Sequence, residues 1–388
     1  MNTIKVKGRQ LKEATNFLAP AVGTKASAQQ ESSLLFIEVL EDKKLLLQVQ
    51  GNTLISSITI ECEETIESEG MQMLLDFNTI SKYVKNNSVN DDFIFELDKL
   101  EDDEIVTIKV GNRFVGTLAT VPLDAYEVQE FEDSTDISKI SSSIINDMIT
   151  MSCQFANMKQ DTQDYMQIVA EENELTFFTT DGEVISKFQA DIDTEDEFDI
   201  TVRASALKKI RTFNSQDITL QLSDDEYFLV LKEESQLRAI VLHSDPPYTY
   251  QELDSLEGGP ESTINIPAES ILSALSNIEC SSSDQTFALA ITNDNEIKLS
   301  SEDLNNSKTE IDLDISAQNY SDILSGDTYR TSIPLFRKLG TLAKTDGRVK
   351  LDLWTATDDG GDNFIDVVDA VGSIGDISYT ISFGLMEN

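Results

Sequence analysis

The sequence predicts an α+β protein of three repeats, each with two helices packed on antiparallel sheets. Three observations carry that prediction. Basic segments free of acidic residues, 77–90, 200–216 and 328–345, stand about a third of the 388-residue chain apart. A second segment with helical spacing precedes each of them. Strand-like alternation fills much of the remainder.

The basic segments define the first element. Together they hold ten of the 29 Lys+Arg, in a chain of formal charge −42. Their apolar positions superpose. Leu75, Phe77, Ile80 and Tyr83 match Val202, Ala204, Leu207 and Ile210, and these match Thr331, Ile333, Phe336 and Leu339. Each set opens as a strand end and then switches to helical spacing. The two positions after the helical anchor are Ser81-Lys82, Lys208-Lys209 and Arg337-Lys338. They flank the apolar stripe, so the cations are expected to face outward. With Lys85, Arg211 and Lys344 they form the candidate cationic surface. Arg203 and Arg330 lie on the strand side of the boundary and are set apart from it.

The second helix of each repeat is marked by Leu11, Ala14, Phe17 and Leu18, by Ile145, Met148 and Ile149, and by Ile271, Leu275 and Ile278. Pro267 introduces the third, at a position where a missing N–H costs a helix nothing. Strands are expected at residues 1–7, and after each basic helix at 93–97, 218–222 and 349–353. Hairpin turns are expected at Gly51-Asn52, Glu171-Glu172-Asn173, Asp181-Gly182 and Asp224-Asp225. Linkers are expected at 130–136 and 245–260. Repeats this long are not solenoid units.

Composition bounds the function. No apolar run reaches the roughly 20 residues that span a bilayer, and the first residues lack the apolar core of a signal peptide. Cys62, Cys153 and Cys280 form no C-x-x-C pair and read as reduced and buried, as in a cytoplasmic protein. The single histidine, His243, cannot build a histidine metal site. Nucleotide-binding glycine motifs and the nucleophile elbow are absent. The acidic clusters at 101–104, 191–199 and 358–362 read as solvated hairpin turns, so no metal or other cofactor is expected. An acidic exterior repels phosphate everywhere except at the basic helices. Lysines on short helices suit loose contact with DNA that ignores sequence and is sensitive to salt.

The chain resembles the bacterial sliding clamp family, the beta subunit of DNA polymerase III. Leu175-Thr176-Phe177-Phe178-Thr179-Thr180-Asp181-Gly182 is similar to the family's strand leading into Thr-Asp-Gly. Val202-Arg203-Ala204-Ser205-Ala206-Leu207-Lys208-Lys209-Ile210 is similar to its strand-to-helix segment. Arg238-Ala239-Ile240-Val241 with Asp245-Pro246-Pro247-Tyr248 resembles the end of its middle domain. Ile266-Pro267-Ala268-Glu269-Ser270-Ile271-Leu272 resembles the opening of its third.

That resemblance implies three clamp domains, 1–130, 131–254 and 255–388, and a homodimer closed head to tail around double-stranded DNA. It implies no enzymatic activity, no membrane, a clamp loader that places the ring on DNA, and a DNA polymerase tethered to it. The DNA-facing residues would be Lys82, Lys85, Lys208, Lys209, Arg211, Arg337, Lys338 and Lys344. A partner-peptide pocket would include Thr180, Gly182, Ile185, Pro246, Tyr250 and Phe383. Subunit contacts would involve Phe114, Leu118 and the region of Ile278. Glu183-Val184 stand where the family usually has basic residues, and Ile381-Ser382-Phe383-Gly384-Leu385-Met386 replaces its C-terminal motif. Both departures touch the pocket and suggest a divergent, phage-encoded clamp. The alternative is an acidic DNA mimic that occupies a nucleic-acid-binding protein. It accounts for the charge but not for three basic helices in register.

Overall fold

The computed structural model describes residues 2–22, 33–66, 69–100, 103–131, 134–194, 197–210, 216–223, 227–243, 260–282, 284–293, 296–302, 308–318, 328–357 and 363–387. Among the described residues, six α-helices appear where the apolar spacing puts them: α1 (Gly8–Leu18), α2 (Phe77–Asn86), α3 (Ser142–Ser152), α4 (Ala204–Lys209), α5 (Ala268–Ile278) and α6 (Ile333–Leu342). The aligned anchors are core residues. Ile80, Leu207 and Phe336 are each 1% exposed, while Tyr83 and Ile210 are half-buried. Caps explain where two of the basic helices begin. The Asp76 carboxylate accepts from the Thr79 N–H at 2.8 Å, and the Ser332 hydroxyl accepts from the Leu335 N–H at 3.4 Å. Each satisfies a backbone donor that the helix itself cannot.

The chain divides into two compact units. The first comprises Met1–Ile145, Asp193–Asp196 and Ser205–Ser244; the second comprises Asn146–Ile192, Glu197–Ala204 and Asp245–Asn388. Among the described residues, each unit holds one five-stranded and one nine-stranded sheet, and every pairing is antiparallel.

In the first unit the smaller sheet runs Glu64–Ile66, Asn2–Lys7, Asp92–Leu100, Asp103–Val110, Arg113–Ala119. The larger sheet joins strands of the first and second repeats. Gln236–Val241 pairs with Leu54–Glu61, with Arg238 opposite Ser56. Arg238 is fully buried there. Its guanidinium lies 3.7 Å from the centroid of the Phe17 ring, and its Nη1 donates to Ser56 Oγ. The arginine of the resemblance motif thus holds α1 against the seam. Phe131, expected in a linker, is 8% exposed and packs with Ile55, Val230 and Ala239.

In the second unit the seam is the pairing of Val184–Asp191 with Ile377–Phe383, with Val184 opposite Phe383 and Ile185 opposite Ser382. The smaller sheet has Lys308–Asp314 at one edge. Helices α5 and α6 pack closely on each other. A β-carbon at Gly340 would lie 2.9 Å from Leu272 Cδ2, so glycine permits this approach.

The hairpin reading holds at residues 171–173. Glu172 (φ 51°) and Asn173 (φ 67°) occupy the left-handed region between two paired strands. Asp224-Asp225 lies outside the described residues, as do most of the proposed linker at 245–260 and the acidic residues Glu101, Asp102 and 358–362. The cysteine reading is corrected in one place. Cys62 and Cys153 are buried, but Cys280 is exposed just beyond the end of α5. Among the described residues, no helix is long and apolar enough to cross a membrane.

Candidate DNA-facing helices and partner site

The predicted cations do not share one fate. Lys82 and Lys85 on α2, and Lys208 and Lys209 at the end of α4, are exposed as expected. None of the four has an ion-pair partner among the described residues. Lys12, on the exposed side of α1, has the same character and was missed. Glu13 beside it interrupts the acid-free pattern that marks the others. Lys344 is exposed just past α6. Arg211 lies outside the described residues.

The outward expectation is corrected for α6. Arg337 is ion-paired to Glu279, which follows α5. Lys338 is half-buried, with its Nζ 5.0 Å from the centroid of the Phe155 ring. Burial pulls its pKa down, while the Asp181 carboxylate opposes that shift. The two residues set aside at the sequence level are also engaged. Arg203 lies 3.4 Å from Asp161 Oδ1 and stacks over Tyr165. Arg330 lies 3.9 Å from Asp284.

The partner-site residues come together in part. Thr180 ends one strand and faces Ile185 of the next. Its Oγ1 donates to the Val184 carbonyl at 2.7 Å and accepts from the Gly182 N–H at 3.0 Å. Asp181 Oδ1 accepts from the N–H groups of Glu183 and Val184 at 3.2 and 3.0 Å. The Thr-Asp-Gly sequence is therefore a side-chain-braced turn. Gly182 has φ +97°, and a β-carbon there would meet Gln163 Nε2 at 2.2 Å. Gln163 is itself held by Asn157, whose Nδ2 donates to its Oε1 at 2.7 Å. Gly182→Ala is expected to cost about 1–3 kcal/mol through backbone strain. A thermal melt indistinguishable from wild type would refute that assignment.

Residues opposed across a sheet point to the same face. Thr180, Ile185, Ser382 and Asp369 therefore share one face. Phe383 lies opposite Val184 and points to the other face. It is 4% exposed, and its ring stands edge-on to Phe336 at 5.8 Å. Phe383 is thus a core residue, and its neighbour Ser382 lies on the face that carries Thr180 and Ile185. Strand alternation around Ile381 was the available signal. Asp369 completes the row, with its pKa raised by burial and its Oδ2 accepting from Trp354 Nε1 at 3.0 Å. Pro246 and Tyr250 lie outside the described residues.

Of the interface residues, Phe114 is 65% exposed. It sits on Arg113–Ala119, whose pairing among the described residues is with Asp103–Val110 alone. Leu118 is half-buried on the same strand. Ile278 is fully buried, because it belongs to the inward stripe of α5. The accessible feature beside it is a groove lined by Ser273, Ala274, Asn277, Ile311 and Leu313, between α5 and the edge strand Lys308–Asp314.

No family model matches the chain, and no curated protein sequence matches it. Solved structures match it over its full length. The DNA polymerase III subunit beta from Pseudomonas aeruginosa aligns at 14% identity and a TM-score of 0.81, covering 100% of both chains. The DNA polymerase sliding clamp from Bacillus subtilis aligns at 12% and 0.82, covering 100% of this chain and 99% of that one. The beta subunit from Thermotoga maritima aligns at 12% and 0.79, covering 100% of both. The repeats, the paired helices and the full-length likeness give one conclusion: the chain has the sliding-clamp fold of bacterial DNA polymerase III beta subunits.

Proposed function

We propose that this chain is a DNA sliding clamp, a non-enzymatic processivity factor of the cytoplasm. Two copies, each of three clamp domains at 1–130, 131–254 and 255–388, close head to tail around duplex DNA. A clamp loader opens the ring onto DNA, and a DNA polymerase docks on it. The observation that carries this reading is the structural likeness across the whole chain, at TM-scores of 0.79 to 0.82 in the three matches above. The exposed, unbridged lysines on α1, α2 and α4 support it. Such cations give contacts that slide and do not read sequence.

Two strand edges support the ring. Arg113–Ala119 carries the exposed Phe114, and Lys308–Asp314 borders the groove on α5. Antiparallel addition of one edge to the other, in two copies, would satisfy both strands and cover Phe114. The partner face is the row around Thr180, Gly182, Ile185 and Ser382.

Topology gives the direct test. Loaded protein should stay on nicked circular DNA and be lost when the circle is cut. Equal retention on circular and linear DNA would overturn encirclement. A monomer that never associates with DNA would favour the acidic-mimic alternative.

A further inference from the structure

The DNA-facing charge is distributed unequally, and this inference rests on the clamp reading above. We propose that one of the two compact units carries the grip on DNA, through Lys12, Lys82, Lys85, Lys208 and Lys209, while the other contributes little beyond Lys344. All five lysines belong to the unit formed by Met1–Ile145, Asp193–Asp196 and Ser205–Ser244. All five are exposed and lack an ion-pair partner among the described residues. Helix α2 carries Lys82 and Lys85 and no acidic residue. Helix α1, packed on it, carries Arg9, Lys12 and Glu13, with Arg9 bridged to Glu13 at 3.0 Å.

The helices of the other unit are different. The charged residue of α5 is Glu269, and the charged residue of α3, Asp147, also falls in this unit. The two cations of α6 are committed, Arg337 to Glu279 and Lys338 to the Phe155 face. Arg330 and Arg203 face Asp284 and Asp161.

Commitment decides what a cation can do for DNA. A free surface lysine that neutralises a phosphate releases condensed counterions into solution, which drives association. A bridged arginine must first leave its carboxylate, exchanging one ion pair for another. Lys338 would have to leave an aromatic face and re-enter water. Three repeats of cationic sequence therefore yield a one-sided contact, and the same unit that holds few free cations holds Thr180, Gly182, Ile185 and Ser382. One unit grips DNA and the other receives protein partners.

The test is the salt dependence of binding to a labelled linear duplex between 50 and 200 mM salt. Removing a cation that neutralises one phosphate should reduce the slope of log K against log salt by about 0.9. Lys12→Gln, Lys82→Gln and Lys85→Gln combined should lower it by about 2 to 3. Arg337→Gln, Lys338→Gln and Lys344→Gln combined should lower it by about 1 or less. Equal reductions would overturn the proposal, as would a wild-type protein with no salt-dependent binding. Retention on closed circles that disappears on linearisation reports the clamp reading separately. A ring that passes that test with equal slope reductions keeps its function and loses this division of labour. Circular dichroism of both variants checks that they are folded.

Discussion

Phe114→Asp is expected to yield a folded monomer that is no longer retained on closed circular DNA. The ring is 65% exposed on an edge strand, so its removal disturbs no core packing, and surface changes of this kind shift stability by about 0.5 kcal/mol or less. In the proposed closed dimer the same side chain would become buried against a second copy. Truncating an aromatic anchor at the centre of an interface costs about 2–4 kcal/mol, and a buried aspartate adds an unpaired charge. At 1.4 kcal/mol per decade, the dissociation constant of each interface should rise by roughly 30- to 1,000-fold. A head-to-tail dimer has two such interfaces, so both weaken together and neither can hold the ring closed. Mass determination at micromolar concentration reads the result. A dimer of undiminished stability would remove Phe114 from the interface and with it the proposed pairing of Arg113–Ala119 with Lys308–Asp314.

What the sequence disclosed and what it withheld divide along a physical line. Helices are local objects. Ile80, Leu207 and Phe336 announced three of them, because a buried stripe at 3.6-residue spacing is written in consecutive residues. Sheet seams are not local. Nothing near Arg238 names Ser56 as its partner, and nothing near Val184 names Phe383, because strand pairing depends on register with a distant segment. The same gap hid the face that Phe383 takes: an offset of one position separates it from Ser382, which lies on the other face of the sheet. Charge was read correctly as composition and incorrectly as availability. Arg337 and Lys338 follow their helical anchor just as Lys208 and Lys209 do. Their environments are set by Glu279 and Phe155, which lie far away in sequence. A basic stretch predicts an exposed face only where folding brings no carboxylate or aromatic ring to meet it.

Lys208→Glu combined with Lys209→Glu is therefore expected to cost more DNA retention than the matching change at Arg337 and Lys338. Both lysines are exposed at the C-terminal end of α4, where cations favour the helix dipole by about 0.3–1 kcal/mol each. Their reversal should lower stability by an amount of that order and leave the fold and the dimer intact. Its effect on DNA is larger, because two attractions become two repulsions. A unit charge 4 Å from a phosphate contributes about 1 kcal/mol in water, so the double reversal shifts the balance by about 4 kcal/mol before screening. Screening over a Debye length of about 10 Å at 0.1 M salt spares contacts this close but reduces the longer-range part. The net expectation is roughly a 10- to 100-fold loss in DNA affinity at 0.1 M, shrinking as salt rises toward 1 M. Processive synthesis with the cognate polymerase and loader, measured across that range, is the readout. A variant that supports wild-type processivity at moderate salt would remove α4 from the DNA-facing surface, whatever the ring itself does. The parallel reversal at Arg337 and Lys338 should act mainly through stability, because it breaks the Glu279 bridge and places a carboxylate against Phe155 and Asp181. A lowered melting temperature with little change in salt dependence is the signature that separates a structural cation from one that touches DNA.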